Sequence, residues 1–235
     1  MIFSFKRSIA ILQKDYKDIS KNLFVSSSIF MPILLAFFYG RSGVGTIYEH
    51  YMVINLAFCI VAAYIQCSLI AEEKEKNTLR GLMLSPASTL DILAGKSLLS
   101  FITTILVIGV CVYLTDYKPE NFIIVSCAII LSTLFYIGLG TVLGLVTKSV
   151  MEASVIILPF LFFFSFGSIL INFADKYPIL KLAEYLPNVQ IIELANEVQL
   201  GAGFMDVWFN LMIIAAWVVA IFILVVVVFR KRMMD

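Results

Sequence analysis

The side chains that usually carry chemistry are scarce in this chain, and where they gather they suit docking better than catalysis. The one histidine, His50, cannot build a histidine metal site. Cys59, Cys67, Cys111 and Cys127 sit in apolar stretches with no CxxC spacing, which fits packing rather than a disulfide or zinc. The glycine-rich run from Gly40 to Gly45 lacks the lysine that a phosphate-cradling G-x-x-x-x-G-K-[ST] loop needs. The sequence therefore predicts no catalytic residue, no metal site and no cofactor bound by this chain. A net charge of +1 gives no electrostatic case for nucleic acid as a partner.

Charge gathers instead between Ala71 and Lys96, AEEKEKNTLRGLMLSPASTLDILAGK. Acids and lysines crowd its start, and Leu79, Leu82, Met83 and Leu84 then supply an apolar face. Ser85-Pro86 ends the helix, because proline lacks the N–H and crowds the preceding turn. Ser88 or Thr89 can cap a new turn with Asp91 in it, and Gly95-Lys96 close the stretch. A short amphipathic helix of this kind is too small to fold alone. It docks in a partner's groove or lies back on the membrane surface.

The elements that hold this stretch must lie in a bilayer. Of the 235 residues, 61% are hydrophobic and 14% charged, against about 45–50% and about 25% in soluble domains. Charges at the centre of a bilayer are costly, so spans appear as gaps between them. Six occur, at Asn22–Gly40, His50–Ala71, Ser97–Thr115, Asn121–Thr147, Ala153–Ala174 and Val207–Phe229. Each is long enough as a helix to cross about 30 Å of hydrocarbon, and strand alternation is absent. With both termini inside, all of the 17 basic residues except Arg41, Lys118, Lys176 and Lys181 fall on the inner side, which predicts N-in and C-in. No cleavable signal is expected, and the chain is read as mature from Met1.

Outside the gaps, Ile2, Phe5, Ile9, Leu12, Tyr16, Ile19 and Leu23 recur at helical steps beside a basic face, which predicts an interfacial amphipathic helix over residues 1–21. Residues 175–206 are too broken to span and too apolar for a plain loop. They predict two short helices dipping into the outer leaflet, broken at Pro187. Gly140 and Gly144 form a G-x-x-x-G pair for close helix packing, and Pro32 and Pro159 mark kinks in spans one and five. The whole is one all-α membrane domain, 1–235: interfacial helix 1–21, spans one and two within 22–71, a loop 72–96, spans three to five within 97–174, the outer segment 175–206, and span six with its tail 207–235.

The 72–96 loop resembles the E-x-E-x-G-T-L-E-x-L-L-x-S-P consensus, with a following Gly-Lys pair, of the type-two ABC exporter permeases. Glu73 and Glu75 match the leading acids, Thr78-Leu79 the Thr-Leu pair, Leu82 and Met83 the Leu-Leu position, Ser85-Pro86 the Ser-Pro, and Gly95-Lys96 the Gly-Lys. Asn77 and Arg80 depart from the pattern. The chain looks most like short Gram-positive permeases that include exporters of amphipathic cytolytic peptides. The resemblance implies a multi-pass bacterial plasma-membrane subunit, paired with a second permease copy, identical or different. It also implies a separate nucleotide-binding ATPase subunit, which carries ATP and magnesium, seated on this loop. Glu73, Glu75, Thr78, Leu79, Leu82, Met83, Ser85 and Pro86 become the ATPase-coupling residues. The expected function is export of hydrophobic or amphipathic molecules, such as drugs, lipids or membrane-active peptides. The expected pathway runs past Phe160, Phe163 and Phe164 of the phenylalanine-rich fifth span. No Asp, Glu, Lys or Arg lies within the six gaps, which argues against ion-coupled transport. A passive channel and a membrane-embedded immunity or sensor protein are the alternatives.

Overall fold

A computed structural model describes residues 4–43, 45–76, 78, 89–165, 167 and 177–234. The described residues are helical with short connections, and none forms a strand. Helix α1 (Phe5–Lys21) leads through Asn22 into α2 (Leu23–Ser28) and α3 (Phe30–Ser42), which together make the first apolar crossing, Val25–Ser42. The break at Ile29 follows from Pro32, whose ring crowds the carbonyl four residues back, at Ser28. Gly43, at a left-handed φ of 76°, ends α3. A capping box of Thr46 and Glu49 starts α4.

Helix α4 (Ile47–Glu75) is the axis of the bundle. Its most apolar stretch is buried on every side, as an all-round apolar helix must be. Its middle, Phe58–Tyr64, widens into a π-helical segment. Around it stand α5 (Thr89–Leu114), α6 (Phe122–Val146), α7 (Val150–Ser165) and α9 (Trp208–Met234), with α9 packed chiefly on α6. The glycine pair seen in sequence is the seam between α6 and α4. A methyl carbon on Gly140 would lie 2.2 Å from the Ala63 carbonyl oxygen, and one on Gly144 would lie 2.7 Å from that of Cys67. Gly40 does the same for α3 on α5, against the Leu114 carbonyl.

Five helices among the described residues are long and apolar enough to cross a membrane. They coincide with the expected spans one to four and six. The expected fifth, Ala153–Ala174, is described as a helix only to Ser165, and that helix runs on through Pro159. The outer segment takes the expected two-part form, with a 3-10 helix (Pro178–Tyr185) and then α8 (Pro187–Gln199). Pro187 occupies the first turn of α8, where its missing N–H costs nothing. Helix α8 is not a surface loop. Val189, Ile191, Ile192, Leu194 and Val198 are buried against α9, α6 and α4. The Trp217 indole N–H donates to the Tyr185 carbonyl at 2.7 Å, which fixes the preceding turn.

Candidate functional site

Three consecutive residues at the end of α4, where the 72–96 loop begins, each bind a different part of the bundle. Lys74 donates to the Leu145 carbonyl at 2.6 Å and to that of Thr147, completing orphan acceptors at the C-terminus of α6 where a cation is favoured. The Glu75 carboxylate accepts the Val150 N–H at 2.9 Å at the start of α7. Glu73 faces the other way, toward α1 and α5. It accepts from Lys96 at 3.2 Å, from Lys14 and from the Thr78 hydroxyl.

The Glu73 contacts belong to a buried charge cluster. Lys96 Nζ stands 3.1 Å from both oxygens of Asp15, and the side chains of Lys96, Asp15 and Glu73 are 1%, 1% and 4% exposed. Asp15, Asp18 and Glu73 bring carboxylate oxygens within 4.8 Å of one another, and the Lys96 ammonium lies between Asp15 and Glu73. Burial pushes the Asp15 carboxyl up from its ordinary value, and the attraction of Lys96 opposes this. A second pair lies one turn up α5. Arg7 Nε is 3.4 Å from Asp91, whose other oxygen accepts the Ser4 N–H at 2.8 Å.

These pairs dock α1 along the first turns of α5. Gly95 makes the approach close enough, since a methyl carbon there would lie 2.7 Å from the Ser8 carbonyl oxygen and 2.9 Å from Ile11 Cβ. The buried side of α1 is Ser8, Ile11 and Asp15. At about 100° per residue, that side lies beside the apolar stripe, not on it. Phe5, Ile9, Tyr16 and Leu23 remain exposed. The helix thus has a docked edge, a free apolar side and a basic side.

The expected coupling residues divide. Glu73 is buried and Glu75 is at the surface, while Thr78 is exposed and bonded to Glu73. Leu79, Leu82, Met83, Ser85 and Pro86 lie outside the described residues. Of the pathway candidates, Phe164 is buried with its ring 5.6 Å from those of Phe135 and Tyr136. Phe163 is exposed and 5.3 Å from Phe164, and Phe160 is half-buried. Tyr136 also stacks on Phe58 of the π segment at 5.1 Å. Close by, the Tyr136 and Ser165 hydroxyls have the Cys59 thiol as partner, while the Asn188 amide is buried with no hydrogen-bond partner among the described residues. Gln66, by contrast, is satisfied, accepting from Ser100 at 2.7 Å and donating to Thr141 at 3.0 Å.

Residue patterns alone missed the roles of Lys14, Asp15, Lys74 and Asp91. Of the cluster, sequence patterns single out Glu73, Gly95 and Lys96 through the family motif and Asp91 as a first-turn acid, but none of their ion pairs. The available signal was Asp15 itself, an acid between Lys14 and Lys17 on the flank of a basic helix.

A family model described as ABC-2 family transporter protein matches residues 13–227. No curated protein matches the chain significantly.

Proposed function

We propose a function for a chain that belongs to the ABC-2 transporter family: it is the permease subunit of an ATP-driven exporter, moved by a separate ATPase subunit seated on the 72–96 loop. Permeases of this family work with an ATPase subunit, and this chain's loop offers the place for it. The observation that carries the reading is the root of that loop. Glu73 binds α1 and α5, Lys74 binds α6 and Glu75 binds α7. A push on the loop therefore reaches four elements through one helix end, which is what a subunit driven from outside the membrane requires. The termini and the loop lie on the cytoplasmic side, by the distribution of lysine and arginine, and two permeases form the pathway.

The cargo is hydrophobic or amphipathic. Support comes from the region where Phe58, Tyr136 and Phe164 place aromatic faces near the Asn188 amide, whose nitrogen and oxygen have no hydrogen-bond partner among the described residues. Unpartnered polar atoms away from water are costly, and an amphipathic molecule or water passing there would satisfy them. A pore lined by Gln66 has less support, because that amide is held by Ser100 and Thr141.

The test is Leu79→Asp with Leu82→Asp. The variant should insert normally yet fail to retain an ATPase subunit and fail to move an amphipathic peptide into inverted vesicles with ATP. Retained partner binding together with retained transport would overturn the coupling role. Chemical labelling of residues 72–92 from outside the cell would overturn the orientation.

A further inference from the structure

We infer that Glu184, Gln190 and Glu193 form a cation site at outer-leaflet depth, which takes the primary ammonium group of an amphipathic molecule whose chain lies in the lipid beside Tyr185 and Trp217. Three contacts set the depth. The Trp217 indole donates to the Tyr185 carbonyl at 2.7 Å, and Trp217 lies nine residues into α9, about 13 Å from its outer end. Asn55 Nδ2 stands 3.5 Å from the Asn188 carbonyl, and Asn55 lies eight residues into α4, about 12 Å from its outer end. Gln199 Nε2 reaches the Lys118 carbonyl at 3.4 Å, in the turn between α5 and α6. Helix α8 therefore starts deep in the outer half of a hydrocarbon core about 30 Å thick and climbs to its surface. It carries Glu193 with it, and Glu184 stands beside its buried start. Carboxylates at such depth are costly and mark function.

The cluster is short of donors and of positive charge. Gln190 Nε2 donates to the Glu184 carbonyl at 2.8 Å and to the Glu193 carboxylate at 3.0 Å, which ties the 3-10 helix to this face of α8. Glu184 and Glu197 lie close enough to act on Glu193 through charge. None of the three acids has an ion pair among the described residues. Gln190 is 4% exposed, and its Oε1, on the carboxamide that Glu193 holds, is buried with no partner. An ammonium brings three N–H donors and a full charge, so it supplies both things that are missing.

Geometry favours an ammonium over a metal ion. A hard divalent ion draws its oxygens to about 2.0–2.6 Å. Among the described residues these acids do not form a group with ligand atoms within 4.8 Å of one another. The N–H bonds of an ammonium are longer, about 2.8 Å, and tolerate a wider spread of acceptors. The surroundings favour an amphipath over a small amine. Leu182 and Tyr185, on either side of Glu184 in the chain, are exposed, and so is Trp217. At this depth an exposed apolar side chain meets hydrocarbon.

The inference rests on the proposed reading of an amphipathic cargo, but not on transport or on an ATPase. The chain has two tryptophans, Trp208 and Trp217, so Trp208→Phe leaves Trp217 as the reporter beside Tyr185. The experiment titrates this full chain, in phosphatidylcholine nanodiscs without nucleotide, with bromododecylammonium or with neutral bromododecanol, and reads quenching of Trp217 by bromine. One hydrogen bond to a charged group is worth about tenfold in affinity. The ammonium should therefore quench saturably at about tenfold lower membrane concentration than the alcohol. Glu184→Gln with Glu193→Gln, both at half-exposed positions, should erase that difference, and Gln190→Met should reduce it severalfold. Equal quenching by the two probes before those changes would overturn the site. So would an equal loss in Glu120→Gln, exposed on the α5–α6 turn, which would mean a diffuse charge effect. Displacement of the ammonium by millimolar calcium would show a metal site instead. Preferential quenching in a chain that fails to transport would sink only the proposed function, and transport with equal quenching would sink only this site.

Discussion

Replacing Lys96 with Met tests the buried cluster most directly. The thioether keeps the length of the stem and removes the ammonium that lies 3.1 Å from Asp15 and 3.2 Å from Glu73. Removing one partner of a buried pair costs about 3–5 kcal/mol. Glu73 keeps Lys14 and Thr78, so the uncompensated charge falls on Asp15. Burial already pushes that carboxyl up, and it takes up a proton rather than remain charged, which holds the cost near ~3 kcal/mol. Helix α1 is then released from α5. Hydrogen exchange across residues 5–21 in nanodiscs should speed up by about 100-fold. Asp15→Asn alone leaves Lys96 on Glu73 and should cost only about 1–2 kcal/mol. Adding it to the Lys96 variant should recover part of the loss. The pH dependence has a definite sign. A carboxyl raised in the docked state binds its proton more tightly there, so its protonation favours docking at acid pH, and that contribution is lost as pH rises through the raised value. The Lys96→Met helix should therefore redock on acidification. Unchanged exchange in Lys96→Met, or equal damage from Asp15→Asn, would refute the reasoning.

Other outcomes follow from the same geometry. Gly140→Ala should cost about 1–3 kcal/mol by forcing α6 off the Ala63 carbonyl, whereas Gly109→Ala, inside α5 with open space around it, should stabilise by about 0.5–1 kcal/mol and raise the thermal midpoint in detergent. Glu75→Gln removes an anion from the start of α7, worth about 0.3–1 kcal/mol, and should speed exchange at Val150 severalfold while leaving α6 unaffected. Asp116 sits at a left-handed φ of 52° in the turn after α5, and its ion pair with Lys118 is exposed. Asp116→Gly should raise stability by about 0.5–1 kcal/mol in denaturant titration.

Gaps between charges located the long helices well because the bilayer penalty acts on each residue separately and needs no knowledge of partners. Asn121–Thr147 became Phe122–Val146, and Val207–Phe229 became Trp208–Met234. The same rule cut two helices short. It ended span two at Ala71 and began span three at Ser97, yet α4 runs to Glu75 and α5 begins at Thr89. Glu73, Asp91 and Lys96 are tolerated inside because each meets an opposite charge from a distant segment, and no local pattern reveals that pairing. The G-x-x-x-G pair was legible because both small residues lie on one helix. Gly95 was not legible as a packing residue, because the helix it admits lies some eighty residues earlier in the chain. The apolar stripe of α1 was visible as a stripe, but its docked edge of Ser8, Ile11 and Asp15 has no hydrophobic signature.

Glu73, Lys74 and Glu75 are successive residues of one helix, so their side chains leave the axis about 100° apart. Together they act like spokes fastened to three separate frames. Such a hub can be pushed sideways, lifted or tilted with everything attached to it, but it cannot spin without tearing a spoke loose. Whatever acts on the loop beyond residue 76 is therefore converted into displacement of the surrounding helices rather than lost as rotation of one of them.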